Sequence, residues 1–416
     1  TTLREKMVLF WHNHFVTELN VVNIPAYLYE YNQLIREHSL GNFKTLAINM
    51  TVNTAMLRYL DGIQNTAASP NENYARELFE LFTIGKGPLI GEGNYTHYTE
   101  QDVQEGARVL TGWKINNNTR TAWFNANHHD KGIKNFSEYY GNQVIADQGN
   151  TEYQALIHMI FNQKETARAL VRKLYRWFVY YQIEEETENQ IIEPLSDILF
   201  DNGYEILPVL TRLLSSEHFF DQEFRGCYIK NPLEFILGSL RRLEVSISDE
   251  LQTKYEVWNL FYNLAGNQEL DLGNPPDVAG WPAYYLQPTF NELWINSATL
   301  PQKAEFSTKL IHGNYKKNEI KLEVDVIALA EMTSVPSEPI QLITEFCELL
   351  LPVPVSELQI DALKEILIPG LPDFEWTVEW FNYKNNAGDE TLKAAVENAL
   401  RLLLEAILQL PEYYLM

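Results

Sequence analysis

The triplet His128-His129-Asp130, followed by Lys134, is the part of this sequence whose residue types could most directly do chemistry. An imidazole beside a carboxylate can act as a base with its orienting acid, or the two can supply nitrogen and oxygen ligands to a metal. Polar residues on an ordered loop owe less to packing than those on a helix, so His129 and Asp130 are read as a candidate base and orienter. The run from Ser69 to Thr83 adds Glu77 as a candidate acid and Arg76 as a candidate substrate clamp. A Pro-stiffened segment, Leu272 to Pro282, brings Asp277 and Trp281, with Tyr284 and Tyr285 just beyond it. Aromatic faces beside an acid have the make-up of a carbohydrate platform, and two carboxylates across a cleft suit glycoside cleavage. Asp277, Trp281, Lys134 and Trp113 are therefore the candidate binding residues.

Each of these has a plainer reading. Glu72, Arg76 and Glu80 recur at four residues and could form a solvated ion-pair ladder. His129 and Asp130 could staple a loop, Asp277 could cap a turn, and Trp281 could fill a gap between helices. His12-Asn13-His14 spells a nuclease motif, but it lies on the apolar stripe of a helix, where positions two apart face away from each other. His14 is then a core histidine in need of a hydrogen-bond partner. His14, His97, His129 and Asp130 are the weak candidates for metal ligation; their scattered spacing commits to no metal site, and a divalent ion stays open.

The elements that must position these residues are mostly helical. Met7, Phe10, Trp11, Phe15 and Leu19 recur at three and four, the stripe of an amphipathic helix. Ser69 reads as an N-cap with Pro70 at the first helical position and Glu72 closing a capping box, and Gly85 as the stop. Thr99 with Asp102 opens a second helix, which ends at Gly112 and leads into Trp113. Residues 114–150 lose the helical period and read as a long ordered excursion, with short strands left open, because aromatics such as Trp123, Phe124 and Phe136 argue against disorder. The Pro-rich stretch of 272–290 reads as a second, rigid loop, and both loops are expected to meet over the Pro70 to Thr83 helix. The fold class expected is mainly α, a multi-helical globular array with two long ordered loops and few or no strands. Its expected division is a main domain over 1–300 and a C-terminal helical region over 301–416, with a soft boundary.

Composition narrows the functions. The chain has 416 residues, 45% of them hydrophobic, enough for a sizeable core. Its 56 acidic against 32 basic side chains give a formal net charge of −24, which repels phosphate backbones, so nucleic acid is not an expected partner. No stretch approaches the apolar length of a membrane helix, and membrane insertion is not expected. Cys227 and Cys347 are the two cysteines, too few for a disulfide framework or a structural zinc site, with one bridge left open. There is no nucleophile elbow, phosphate loop, His-Glu-x-x-His pair or dinucleotide fingerprint, so nucleotide and dinucleotide cofactors are not expected.

Several segments carry a resemblance over nearly the whole chain. His12-Asn13-His14-Phe15, the Pro70 to Thr83 run, Tyr98 to Val103, Thr111-Gly112-Trp113, His129-Asp130 with Lys134, Pro276 to Pro282 and the closing Pro411-Glu412-Tyr413 occur in order. Together they resemble the bacterial family catalogued as domain of unknown function 1800, which carries no established activity. The resemblance implies an exported protein, periplasmic or at the cell surface, and a neighbouring exported protein as one partner. It also implies that the chain starts downstream of the family's usual N-terminal helices. The function expected is a hydrolase-like enzyme on a polysaccharide or envelope polymer. The alternative is a non-catalytic envelope protein that binds a partner protein or glycan.

Overall fold

The computed structural model describes residues 2–317, 320–386 and 388–416. The chain is 60% helical and 6% strand, the mainly α architecture expected from the apolar periods. Its strands form two-stranded antiparallel ladders that decorate loops. Among the described residues no helix is long and apolar enough to cross a membrane.

Contacts divide the chain into one compact unit of Thr1–Asp221 with Gly273–Tyr285, and another of Gln222–Leu272 with Leu286–Met416. The Pro-rich loop thus belongs to the first unit although the residues on either side of it belong to the second. Leu19 N donates to Gly273 O at 2.7 Å, Asn20 N to Asn274 Oδ1 at 3.0 Å and Trp281 N to Asn13 Oδ1 at 2.9 Å. Gly280, at φ +99°, lies so close to Asn13 that a Cβ there would come within 2.2 Å of its Oδ1. Glycine is needed at that contact on both counts.

In the first unit the Leu3–His14 helix buries Met7, Phe10, Trp11 and His14 on one face. Trp11 stacks on Phe43 at 5.3 Å between ring centroids, and Phe43 packs on Phe161 at 5.0 Å. The Glu100–Val109 helix begins with the Thr99 and Asp102 capping box read from the sequence. Asp102 is fully buried, and beyond its cap it accepts the backbone N–H and hydroxyl of Ser137, both at 2.7 Å. One carboxylate therefore starts a helix and fastens the long excursion to it. The excursion is ordered as two ladders, Trp113–Asn116 with Thr121–Phe124 and Lys134–Asn135 with Val144–Ile145.

The segment after Ser69 departs from expectation. Its helix begins at Asn73 rather than Pro70, with no side-chain cap from Glu72. Ser69 is spent in a tight turn, its N–H on Thr66 O at 3.0 Å, and Asn71 takes over by accepting Asn73 N at 2.9 Å. After Glu77 the winding widens to a π-helix over Leu78–Phe82, and Gly85 N closes it on Phe79 O at 2.9 Å. The widening ends the spacing of four: Arg76 pairs with Glu72 at 3.0 Å, while Glu80 faces Lys86 at 3.3 Å and the Tyr98 hydroxyl at 3.1 Å.

The second unit is built from amphipathic helices, with Val396, Leu400, Leu403, Leu404 and Ile407 forming the buried stripe of Glu390–Leu408. Its Pro232–Arg242 helix carries a complete capping box from Asn231 and Glu234 with Pro at the start. Cys227 and Cys347 are free thiols in this unit, so the bridge left open by the sequence is not formed.

Candidate functional site

The Glu100–Val109 helix and the excursion after it hold a charged knot. His129 sits just past the first ladder and Lys134 begins the second, while Glu152 opens the Glu152–Phe161 helix. His129 Nε2 lies 3.0 Å from Glu152 Oε2, and Lys134 Nζ lies 2.6 Å from Glu152 Oε1. The Lys134 ammonium also donates to Asp130 O. Both Lys134 and Glu152 are fully buried and His129 is 4% exposed. A buried charge persists only when paired, and each of these charges is paired here.

Asp130 adjoins His129 in the chain, but its carboxylate points elsewhere. It accepts Arg108 Nε at 2.8 Å and Nη2 at 3.2 Å, and this guanidinium holds it below the usual aspartate range. The carboxylate that meets the imidazole is Glu152, with Asp147 Oδ1 a further 3.6 Å contact. His129, Asp147 and Glu152 offer ligand atoms that all lie within 4.8 Å of one another, the only such group among the described residues.

A second cluster forms where the Asn73–Glu77 helix gives way to π winding. Glu77 is half-buried, and its carboxyl is pushed up to about 7, first by burial and then by the negative charge of Glu80, with Asp277 adding to it. Arg76 and Lys86 pull the other way but are engaged elsewhere. Arg76 grips Glu100 through two bonds of 2.7 Å. Tyr59 lies in the same field: burial pushes its phenol far up, and its hydroxyl donates to Glu18 Oε1 at 2.8 Å. Asp277 is exposed, its Oδ1 accepting Ala279 N at 2.9 Å in a turn. Tyr285, 39% exposed, feels the Asp277 charge as well, after burial.

The remaining candidates serve as staples. His14 Nε2 contacts Phe82 O at 3.0 Å while Lys173 Nζ donates to Leu81 O at 2.7 Å, so a buried and a half-buried side chain satisfy carbonyls at the end of the π winding. Burial drives His14 well below its ordinary value, with Lys173 adding to the effect, and burial lowers Lys173 to about 8. The nuclease-like tripeptide is thus absorbed residue by residue: His12 Nδ1 meets Tyr31 Oη at 2.9 Å, Asn13 holds the Pro-rich loop, and His14 caps the helix end. His97 Nδ1 contacts Gly85 O at 3.0 Å. Trp281 is 1% exposed, so its ring is shut off from any ligand face. Trp113 packs edge-on against Phe124 at 5.6 Å and Tyr153 at 5.5 Å.

The two loops are anchored on different helices, the excursion on Glu100–Val109 and the Pro-rich loop on Leu3–His14. Among the described residues no hydrogen bond or ion pair joins Glu77 or Arg76 to His129 or Asp130. Sequence reasoning missed Glu152, because an acid in the first turn of a helix reads as an ordinary dipole partner. It also missed Asp147, Tyr59 and Glu18, none of which lies in a distinctive segment.

No curated protein and no solved structure gives a significant match to this chain. The family described as protein of unknown function (DUF1800) matches residues 1–415, essentially the whole chain, and the protein belongs to that family.

Proposed function

We propose that the first unit carries a carboxyl-based acid–base site at Glu77 and Asp277, and that the protein is a hydrolase-like enzyme acting on a polysaccharide or similar polymer of the cell envelope. What supports this reading is the Glu77 carboxyl, pushed up to about 7 first by burial and then by Glu80, with the charge of the exposed Asp277 adding to it. A general acid works best when its proton affinity lies near the working pH, and two carboxyls in unlike environments divide into acid and base. Glu77 is the acid and Asp277 the base or nucleophile. Tyr285 supplies the exposed aromatic face that Trp281, buried behind the loop, does not. Arg76, held by Glu100 and Glu72, positions the acid's helix, and His129 with Asp130 keeps the excursion in place. The π winding immediately after Glu77 fits a functional position, since such turns concentrate at sites. An exported location and a glycan partner go with this reading, and a chain of net charge −24 disfavours nucleic acid.

A non-catalytic envelope protein that binds a partner protein or glycan is the second reading. It is favoured by the way His14, Asn13, Asp102, His129 and Lys134 fix loops to helices. The test is release of reducing ends from isolated envelope polysaccharide. The acid–base reading expects turnover that falls about 100-fold or more in Glu77→Gln with the melting transition retained. Absence of turnover by the native chain together with retained glycan binding would establish the second reading instead.

A further inference from the structure

We propose that His129, Asp147 and Glu152 form a three-ligand site for a divalent cation of the zinc class, separate from the Glu77 cluster. The hydrogen bonds of Thr111 fix the tautomer of His129. Nδ1 lies 2.9 Å from Thr111 O and 3.2 Å from Thr111 Oγ1. That hydroxyl donates its proton to Arg108 O at 2.7 Å and accepts Asp130 N at 2.8 Å, so neither Thr111 oxygen has a proton for the ring. Nδ1 must therefore carry a hydrogen, and the nitrogen turned on Glu152 Oε2 at 3.0 Å and Asp147 Oδ1 at 3.6 Å is Nε2. One imidazole nitrogen and two carboxylate oxygens, all within 4.8 Å of one another where the imidazole is 1% exposed, make a donor set that a divalent cation can bridge.

The arrangement is that of a metal ligand set. A histidine that binds metal through one nitrogen usually gives its other N–H to a backbone carbonyl or carboxylate, as Nδ1 does here. Ligands about 2.0 to 2.2 Å from zinc stand close enough together to match the spacing of these three side chains. Gln148 N donates to Glu152 Oε2 at 3.1 Å and helps aim it. The Asp147 side chain is 37% exposed, which gives a cation access and a water on that side. Lys134, at 2.6 Å from Glu152 Oε1, offsets one of the two carboxylate charges. One imidazole with two carboxylates suits zinc better than calcium, which takes about six to eight oxygens. The competing occupant is a proton, which would make His129 an imidazolium donating to Glu152.

Zinc chloride titrated into the chelator-treated full chain, followed by calorimetry and metal analysis, separates the two. The expected result is one zinc per chain, with affinity about tenfold or more weaker in Asp147→Asn while the zinc-free melting temperature stays the same. A chain that takes up no zinc, or whose affinity is untouched by Asp147→Asn, overturns the proposal. The His129 side-chain nitrogen resonances give a readout that needs no variant. Zinc should move Nε2 and leave Nδ1 protonated, whereas an imidazolium at pH 8 that zinc does not disturb also overturns it.

Discussion

The first unit holds two clusters of ionisable groups that use the same residue types to opposite ends. In the knot of His129, Lys134 and Glu152, the Glu152 carboxylate has a partner nitrogen on each oxygen, at 3.0 Å and 2.6 Å. Around Glu77, burial and then the charge of Glu80, with Asp277 adding to it, push the carboxyl up to about 7, and the nearby cations serve other acids. Whether charge is balanced or left in excess separates a group that holds a fold from one poised to exchange a proton.

The largest expected effect lies in the balanced knot. Glu152→Ala leaves Lys134 buried beside an imidazole without its counter-charge, and should cost about 3 to 5 kcal/mol in urea unfolding of the zinc-free chain. His14→Ala comes next. It leaves Phe82 O short of a partner and opens a cavity among Phe10, Phe15 and Phe43, a loss of about 2 to 4 kcal/mol by thermal unfolding.

Glu77→Gln should act in the other direction. Because the folded-state value of Glu77 is raised, the native chain binds more protons than the unfolded one between about pH 4.5 and 7, and stability falls as pH rises through that window. Glutamine removes the penalty, so the variant should be more stable than the native chain by about 1 to 2 kcal/mol at pH 8, allowing for solvent screening of a half-buried group, and equal to it below pH 4. The smallest effect belongs to Asp277→Asn. Asparagine keeps the oxygen that takes Ala279 N, so unfolding should change by less than about 0.5 kcal/mol while turnover is lost. A large loss of stability with Asp277→Asn, or none with Glu152→Ala, would erase the contrast between the clusters.

Much of this was legible in the sequence, for reasons that differ by element. The Thr99 box and the Gly85 stop follow from local backbone needs, which the residue types carry by themselves. The Ser69 start does not: the same residues also suit a turn, and Asn65, which accepts Asn71 N at 2.9 Å, decided between them from outside the segment. His14 as a satisfied core histidine followed from its place on an apolar stripe, but its partner at Phe82 lies 68 residues away and left no local trace. Glu77 is legible as a candidate acid in the Ser69 to Thr83 run. The π winding that separates it from the expected ladder has no signature in residue type, and Asp277 reaches it only through tertiary placement of the Pro-rich loop. Likewise His129 was visible as a loop histidine, whereas the carboxylate that faces it, Glu152, is not its neighbour in sequence.

The most direct test of the contrast is a side-chain carbon NMR titration of Glu77 in the full chain, in native protein and in Asp277→Asn. The account predicts a midpoint near 7 that moves down when the Asp277 charge is removed. A midpoint in the ordinary glutamate range, about 4 to 5, and indifferent to Asp277 would contradict it.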